Sequence, residues 1–431
     1  MSDPIRDNGV VGSGGAGFPT AVKLSANAET FIVNGAECEP LLHKDKELLL
    51  HHSAEMLQGL ACAMERVGAK RGIIGIKKKY EQVIAALAPQ LPRGTEICPL
   101  SDTYPAGDEF VLVYEVTGKV IPPGGLPKDV GAVVNNVETL INVGAGKPVT
   151  HKYLTVAGAV KDPVTLRVPI GMSFREVIDA AGGAAVDRSE VIVGGVMMGR
   201  LATDLEEPVT KTTGGLLVFP GNHPLVERYR QSWTQIERIG RAACDQCSFC
   251  TERCPRYLLG HPIQPHQAMR SLGFAPDKDR MILGTLYCCE CKLCSLFSCP
   301  EGLDPRSVCA QSKPLAREKG LRWSGDPAAL APHPLYRERR VPTKRLMSRL
   351  GLTGFHNVGP LDERPLRPRS VTIPLRQHTG APSVPVVRAG DAVTEGQLLA
   401  SIPDKALGAN LHASITGTVR DVTGSAIVIE A

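Results

Sequence analysis

The chain has 431 residues, 43% of them hydrophobic and 22% charged, with 13 cysteines and a net charge of +5 at neutral pH. That length suits about two to four domains, and the modest charge excludes a composition built for nucleic acid. No apolar run spans a bilayer, and Met1 to Val11 lacks a basic n-region and an apolar h-region, so the expectation is a cytoplasmic, reducing compartment without a disulfide framework.

Taken in chain order, a glycine-rich opening leads to Phe31-Ile32-Val33, a short buried strand that ends in the polar cluster Asn34 to Pro40. His51 to Val67 places Leu57, Leu60, Ala61, Met64 and Val67 on one helical stripe that stops at Gly68. Strands at Ile73 to Ile76 and Glu96 to Leu100, with a helix from Tyr80 to Leu87 between them, predict a Rossmann-like α/β domain with a largely parallel sheet over residues 1–150. From Tyr153 the pattern becomes strand pair, capped helix (Ser173 with Glu176, ended by Gly182-Gly183) and strand pair, an α+β module of β-grasp type over 151–222.

Helical segments around Val226 to Ile239 and Pro265 to Leu272 flank two cysteine runs in a helical, ferredoxin-like domain over 223–320. The runs are Cys244-x2-Cys247-x2-Cys250-x3-Cys254-Pro255 and Cys288-x2-Cys291-x2-Cys294-x4-Cys299-Pro300. Three thiolates at two-residue gaps wrap one face of a cubane, and the fourth, followed by proline, turns toward a second cluster. Crossed ligation of two [4Fe-4S] clusters follows, with Cys244, Cys247, Cys250 and Cys299 on one and Cys288, Cys291, Cys294 and Cys254 on the other. Two structural zinc sites are the alternative, although zinc modules usually separate their knuckles by a dozen or more residues. The second run has one residue more than the usual gap before Cys299, which brings Cys289 and Cys309 in as replacement ligands. Cys38, Cys62, Cys98 and, where it is not a ligand, Cys309 read as small buried hydrophobes.

Residues 321–368 form a basic, proline-rich linker; from Lys313 to Ser370 there are 13 Lys or Arg against 5 Asp or Glu. A solvated connector, or a docking strip for an acidic partner, fits it better than nucleic-acid binding, because aromatic residues are sparse. Residues 369–431 hold short β-rich runs between glycine turns, a small barrel or sandwich hybrid. Pro403-Asp404-Lys405-Ala406 in that part resembles a lipoyl-domain lysine hairpin, and an ordinary solvated turn lysine is the competing reading.

Gly12-Ser13-Gly14-Gly15-Ala16-Gly17-Phe18-Pro19 matches G-x-G-x-x-G, but the lead-in from Arg6 to Val11 barely supplies the strand the fingerprint needs. Glycines at this density let backbone amides approach a phosphate; the bland alternative is a turn packed on a sheet. Three polar patches follow, Asn34 to Pro40, Tyr104 to Glu109 and Val134 to Thr139. The four segments, in this order, resemble the flavin-carrying subunit of respiratory complex I and its relative in the Rnf complex, RnfC, a likeness that runs through a soluble-ligand-binding β-grasp (SLBB) module and the cysteine runs. The resemblance implies FMN held by Gly12, Gly14, Gly15, Gly17, Phe18, Lys23, Asn34, Tyr104, Gly107, Asn135 and Asn136, with Asp108 and Glu109 beside it and Glu37 and Glu39 as the catalytic carboxylates near flavin and nicotinamide. Ala36 stands where complex I has an aspartate.

A barrel placed last, after the clusters, is similar to the cobalamin reductases of propanediol-utilisation bacterial microcompartments. That likeness implies NADH as donor, cobalamin as the substrate reduced from Co(III) toward Co(I), a microcompartment location, and a cobalamin adenosyltransferase and shell proteins as partners. No D-x-H-x-x-G corrinoid signature occurs, and none of the 11 histidines falls in a ligand cluster. Two other readings are an Rnf-like NADH and ferredoxin oxidoreductase component of a membrane-associated complex, and a non-catalytic iron-sulfur wire or scaffold.

Overall fold

A computed structural model describes residues 3–273 and 277–431. Its first sheet has four parallel strands in the spatial order Thr95–Leu100, Arg71–Lys77, Thr30–Gly35, Ala132–Asn136. The chain steps outward from Thr30–Gly35 on one side and then crosses to Ala132–Asn136 on the other. The C-terminal ends of those two neighbouring strands therefore form a topological switch point, where α/β sheets open a crevice for ligands. Helices Ser53–Val67 and Val137–Ala145 cover one face in very close approach. A Cβ on Gly59 would lie 1.9 Å from the Leu140 carbonyl oxygen, and one on Gly144 would lie 2.2 Å from that of Glu55, so only glycine permits this crossing. The helix expected from His51 to Val67 is Ser53–Val67, ended at Gly68, and a separate helix, Lys44–His51, precedes it.

The second sheet is mixed, ordered Leu361–Asp362, Val164–Pro169, His151–Gly158, Gly215–Pro220, Ser189–Val193, Arg200–Leu201. Its central pair is parallel and its flanking pairs antiparallel, and helix Phe174–Ala180 begins at the Ser173/Glu176 capping box. This is the β-grasp arrangement. The helical part breaks between Pro224–Arg230 and Trp233–Ala243, because Ser232 and Gln235 form a new capping box where one helix was expected. It closes on Pro305–Glu318.

The basic linker is not a solvated connector. Val341–Pro342 pairs with Thr103–Tyr104 of the first domain, Thr343–Arg349 is helical, and Leu361–Asp362 supplies an edge strand to the β-grasp sheet. Tyr336, Val341, Leu346, Leu350 and Leu352 are buried, so this strap laces three modules together; Arg340 pairs with Glu115 of the first domain at 2.7 Å, while Lys344, Arg345 and Arg349 stay outside.

The C-terminal part is a sandwich hybrid of a four-stranded sheet (Ser370–Pro374, Ala426–Glu430, Gly417–Val422, Ala392–Val393) and a three-stranded one (Val384–Pro385, Leu398–Ser401, Leu411–His412). Its Val371, Ile373, Leu399, Leu411 and Ile427 belong to the same core as Leu24, Phe31, Leu60 and Leu140, so first and last modules share one interior. The fold class is multidomain α/β and α+β. Lys405 stands exposed on a turn at φ +58°.

Candidate functional site

The glycine loop is not the strand–turn–helix of a dinucleotide fingerprint. It hangs from a lone bridge between Val11 and Pro19, closed by Gly12 N–H to the Phe18 carbonyl at 2.9 Å, and only the short helix Thr20–Lys23 follows. The barrel and the first domain's own helix Val137–Ala145 hold it in place. Thr379 of the barrel donates its N–H to the Gly17 carbonyl (3.0 Å) and its hydroxyl to the Ala16 carbonyl (2.8 Å), and Thr139 accepts the Ser13 N–H (2.9 Å). Lys211 of the β-grasp module bridges the carbonyls of Gly9 and Asn410 at 2.7 and 2.8 Å, and burial pulls its ammonium down to about 7.

Beside this loop the structure gathers the three polar patches. Asn34 Nδ2 donates to the Gly107 carbonyl at 2.8 Å, and Lys23 pairs with Glu109 at 2.8 Å. Asn136 caps helix Val137–Ala145 through Oδ1 and gives Nδ2 to Asp45 at 2.7 Å. A Cβ on Gly14 would sit 3.5 Å from the Asn136 Cβ, whereas Gly15, at φ +110°, has open space where its Cβ would be. The amide of Asn135 is buried and its Nδ2 has no partner. An open glycine cradle with an unsatisfied donor at the adjoining strand end fits a polar, phosphate-bearing cofactor such as FMN.

Under the patches lies a buried charge network that motif reading passed over: Lys44 contacts both Asp45 and Glu138, and Glu138 also holds Lys152. Glu37 points into it and accepts the Asp45 N–H at 2.7 Å; burial, then the charge of Asp45, pushes its carboxyl up to about 8. Glu39 faces elsewhere. Its two oxygens accept the N–H groups of Met197 and Met198 at 2.8 and 2.9 Å, which fastens the first domain to the β-grasp module. The two carboxylates proposed from the sequence as a catalytic pair thus serve different surroundings.

The cysteine runs form two sets. Cys244, Cys247, Cys250 and Cys299 line one cavity, and burial followed by neighbouring Cys244, Cys299 and Cys247 pushes the Cys250 thiol up to about 12. Burial and then Cys289 and Cys288 likewise raise Cys254, while Cys294 lies among Cys288, Cys254 and Cys250. Among the described residues no three His, Cys, Asp or Glu side chains close to single-ion distances. Sulfurs spaced round a cavity fit a polynuclear cluster, whose iron would hold them as thiolates. Both runs are wound alike: Gln246 and Ser248 in the first, Glu290 and Lys292 in the second, all have φ between +58° and +65°. Left-handed non-glycine residues cost about 1–2 kcal/mol each, a strain expected where backbone must curl round a ligand. The extra residue before Cys299 does not displace that cysteine. Cys294–Ser298 is a π-helical turn, which absorbs one residue and returns Cys299 to the first set's cavity. Cys309 is buried beside Cys288.

Two contacts join the second set to the polar patches. Tyr104, buried, donates its hydroxyl to the Cys291 carbonyl at 3.0 Å. Arg256, directly after Cys254-Pro255, pairs with Asp108 at 2.9 Å, stacks 3.5 Å from the Phe110 ring centroid, and lies against Cys289. Its Nε and Nη1 are buried without partners, donors suited to cluster sulfur. Sequence reading missed Arg256, and its position after the Cys-Pro pair was the available signal.

Four family descriptions match successive stretches: "Nuo51 FMN-binding domain" over 5–145, "SLBB domain" over 153–201, "4Fe-4S dicluster domain" over 243–304 and "RnfC Barrel sandwich hybrid domain" over 360–430. Over its full length the chain is 44% identical to "Cobalamin reductase PduS" of Salmonella typhimurium and 43% identical to the protein of that name from Citrobacter freundii, covering 96% of each. It is 34% identical, over 59% of its length and 55% of the relative's, to a component of the "Proton-translocating ferredoxin:NAD(+) oxidoreductase complex" of Clostridium ljungdahlii.

Proposed function

The chain belongs to the cobalamin reductase PduS family, and from that premise we propose that it is an NADH-dependent corrinoid reductase using FMN and two [4Fe-4S] clusters. When bound, flavin converts a two-electron hydride into single electrons and clusters carry those electrons singly. The remaining work belongs to side chains. The Gly12–Gly17 loop, braced by Thr379 and Thr139, offers amides to the FMN phosphate, with Asn135 donating its free Nδ2 and Lys23–Glu109 forming a rim. Glu37, with its carboxyl raised by burial, can hold a proton near neutral pH beneath that cradle. Asp108–Arg256 and Tyr104–Cys291 keep the cradle in fixed register with the cysteine loops.

The observation that carries this reading is the contiguity of the cradle, the cysteine set of Cys254, Cys288, Cys291 and Cys294, and the set that includes exposed Cys247, linked through Tyr104, Arg256 and the crossed runs. No helix among the described residues is long and apolar enough to cross a membrane. The family likeness points to a microcompartment location and to an adenosyltransferase partner, since Co(I) is formed at a potential that NADH reaches poorly unless a second protein consumes the product. The test is anaerobic reduction of hydroxocobalamin by NADH with FMN-loaded, cluster-replete protein. Appearance of the Co(II) spectrum only with protein present supports the proposal; an unchanged corrinoid refutes it.

A further inference from the structure

A groove lies beside Cys299, in the cysteine set that includes exposed Cys247, and no motif accounts for it. Its volume is about 320 Å³, within the range of ligand pockets. One wall is helix Pro224–Arg230, another is the π-helical turn and the loop to Gly302, and the third is the end of the strap helix, Ser348 to Gly351. Cys299 lines both this groove and the cluster cavity. A molecule seated here would be separated from the metal site by a single side chain.

The lining is of two kinds. Leu225, Leu296 and Leu350 make an apolar floor, with Leu225 and Leu350 buried. Arg228 is occupied by the carbonyls of Gly302, Ser295 and Leu303. Arg349 is exposed and has no ion-pair partner among the described residues, and Ser348 beside it is exposed too. Apolar lining beside an unpaired arginine suits a ligand edge that carries an aromatic ring next to a phosphodiester. The groove is too small for a corrin macrocycle but large enough for the nucleotide loop that hangs beneath one.

Building on the corrinoid-reductase reading, we propose that this groove docks the substrate by its nucleotide loop, with the phosphodiester on Arg349 and the dimethylbenzimidazole edge on the leucine floor, next to Cys299. The π-helical turn and the strap then have a common purpose: together they form the walls of an acceptor site at the end of the cysteine relay.

The test is equilibrium binding, by calorimetry on oxidised holoprotein, of cyanocobalamin, whose axial positions are filled, and of dicyanocobinamide, which lacks the nucleotide loop. Wild type should bind cyanocobalamin more tightly than dicyanocobinamide. Arg349→Glu should weaken cyanocobalamin about tenfold, the equivalent of one charge-assisted hydrogen bond, and leave dicyanocobinamide unchanged. Ser348→Trp, an exposed substitution that fills the groove, should abolish binding while flavin and cluster absorbance stay as in wild type. Wild-type affinity in both variants, equal affinity for the two corrinoids, or no binding by wild type would each overturn the proposal. Hydroxocobalamin reduction by NADH, measured on the same wild-type preparation, tests the underlying reading separately: reduction with unaffected variants rejects the groove alone.

Discussion

The outer cysteine set (Cys244, Cys247, Cys250, Cys299) and the inner set (Cys254, Cys288, Cys291, Cys294) are built on matching backbone and placed in opposite surroundings. Each run puts left-handed residues at the second and fourth positions after its first cysteine. Yet Cys247 is exposed and the outer cavity borders an open groove, whereas Cys254, Cys291 and Cys294 are buried, with Tyr104 and Arg256 tying them to the polar patches. Shared geometry therefore gives two sites of different character: one is integral to the joint between domains, and the other faces whatever approaches from outside. Burial and a nearby cation shape the inner site; solvent exposure shapes the outer.

The comparison can be broken most severely at the ligands. Cys291→Ala and Cys247→Ala should each remove about half of the bound iron if each set holds one cluster. Only the inner lesion should also lower the melting temperature by several degrees, since Cys291 packs in the core formed by Tyr104, Leu217 and Leu293. Equal thermal losses would erase the distinction. Next in size is Arg256→Gln, which strands the Asp108 carboxylate; breaking a buried pair by removing one partner costs about 3–5 kcal/mol, measurable by urea unfolding. In a potentiometric titration followed by electron paramagnetic resonance, the same variant should lower the potential of one cluster and leave the other in place.

Gly15→Ala comes third. At φ +110° any side chain is strained by about 1–2 kcal/mol, and the new methyl enters the open cradle, so flavin content should fall while iron content holds. The smallest effect is a pH slope. Glu37 has its carboxyl raised from 4.5 to about 8, so between those values the folded protein holds a proton that the unfolded chain has released, and stability falls as pH rises through that window. Glu37→Gln should flatten the slope of unfolding free energy between pH 5 and pH 8; an unaltered slope would show that Glu37 is not the group that titrates there.

Local chemistry was the legible part of the sequence. The polar patches, the capping box at Ser173 and the cysteine runs each declare themselves within a dozen residues, and the parallel sheet follows from alternating periodicity. The strap was misread because its nine basic residues and its prolines hide a buried series from Tyr336 to Leu352, whose partners lie far off in the sequence, such as Val111 and Leu258 for Tyr336 and Leu217 and Leu225 for Leu346. The π-helical turn was illegible for another reason: a one-residue insertion in a ligand run could have displaced a cysteine, and only packing decides that it bulges instead. Lys152, Lys211 and Lys44 look like surface lysines until the fold brings Glu138 and backbone carbonyls to them. Glu39 illustrates the limit of patch reading, since residues in one motif are turned by the fold to different neighbours.

The most direct test of the account compares wild type with Cys247→Ala in anaerobic NADH assays, using hydroxocobalamin and ferricyanide as alternative acceptors. If the outer set is the outlet, the variant keeps ferricyanide reduction, which needs only the nucleotide-side half of the molecule, and loses corrinoid reduction. Corrinoid reduction at the wild-type rate in Cys247→Ala would contradict it.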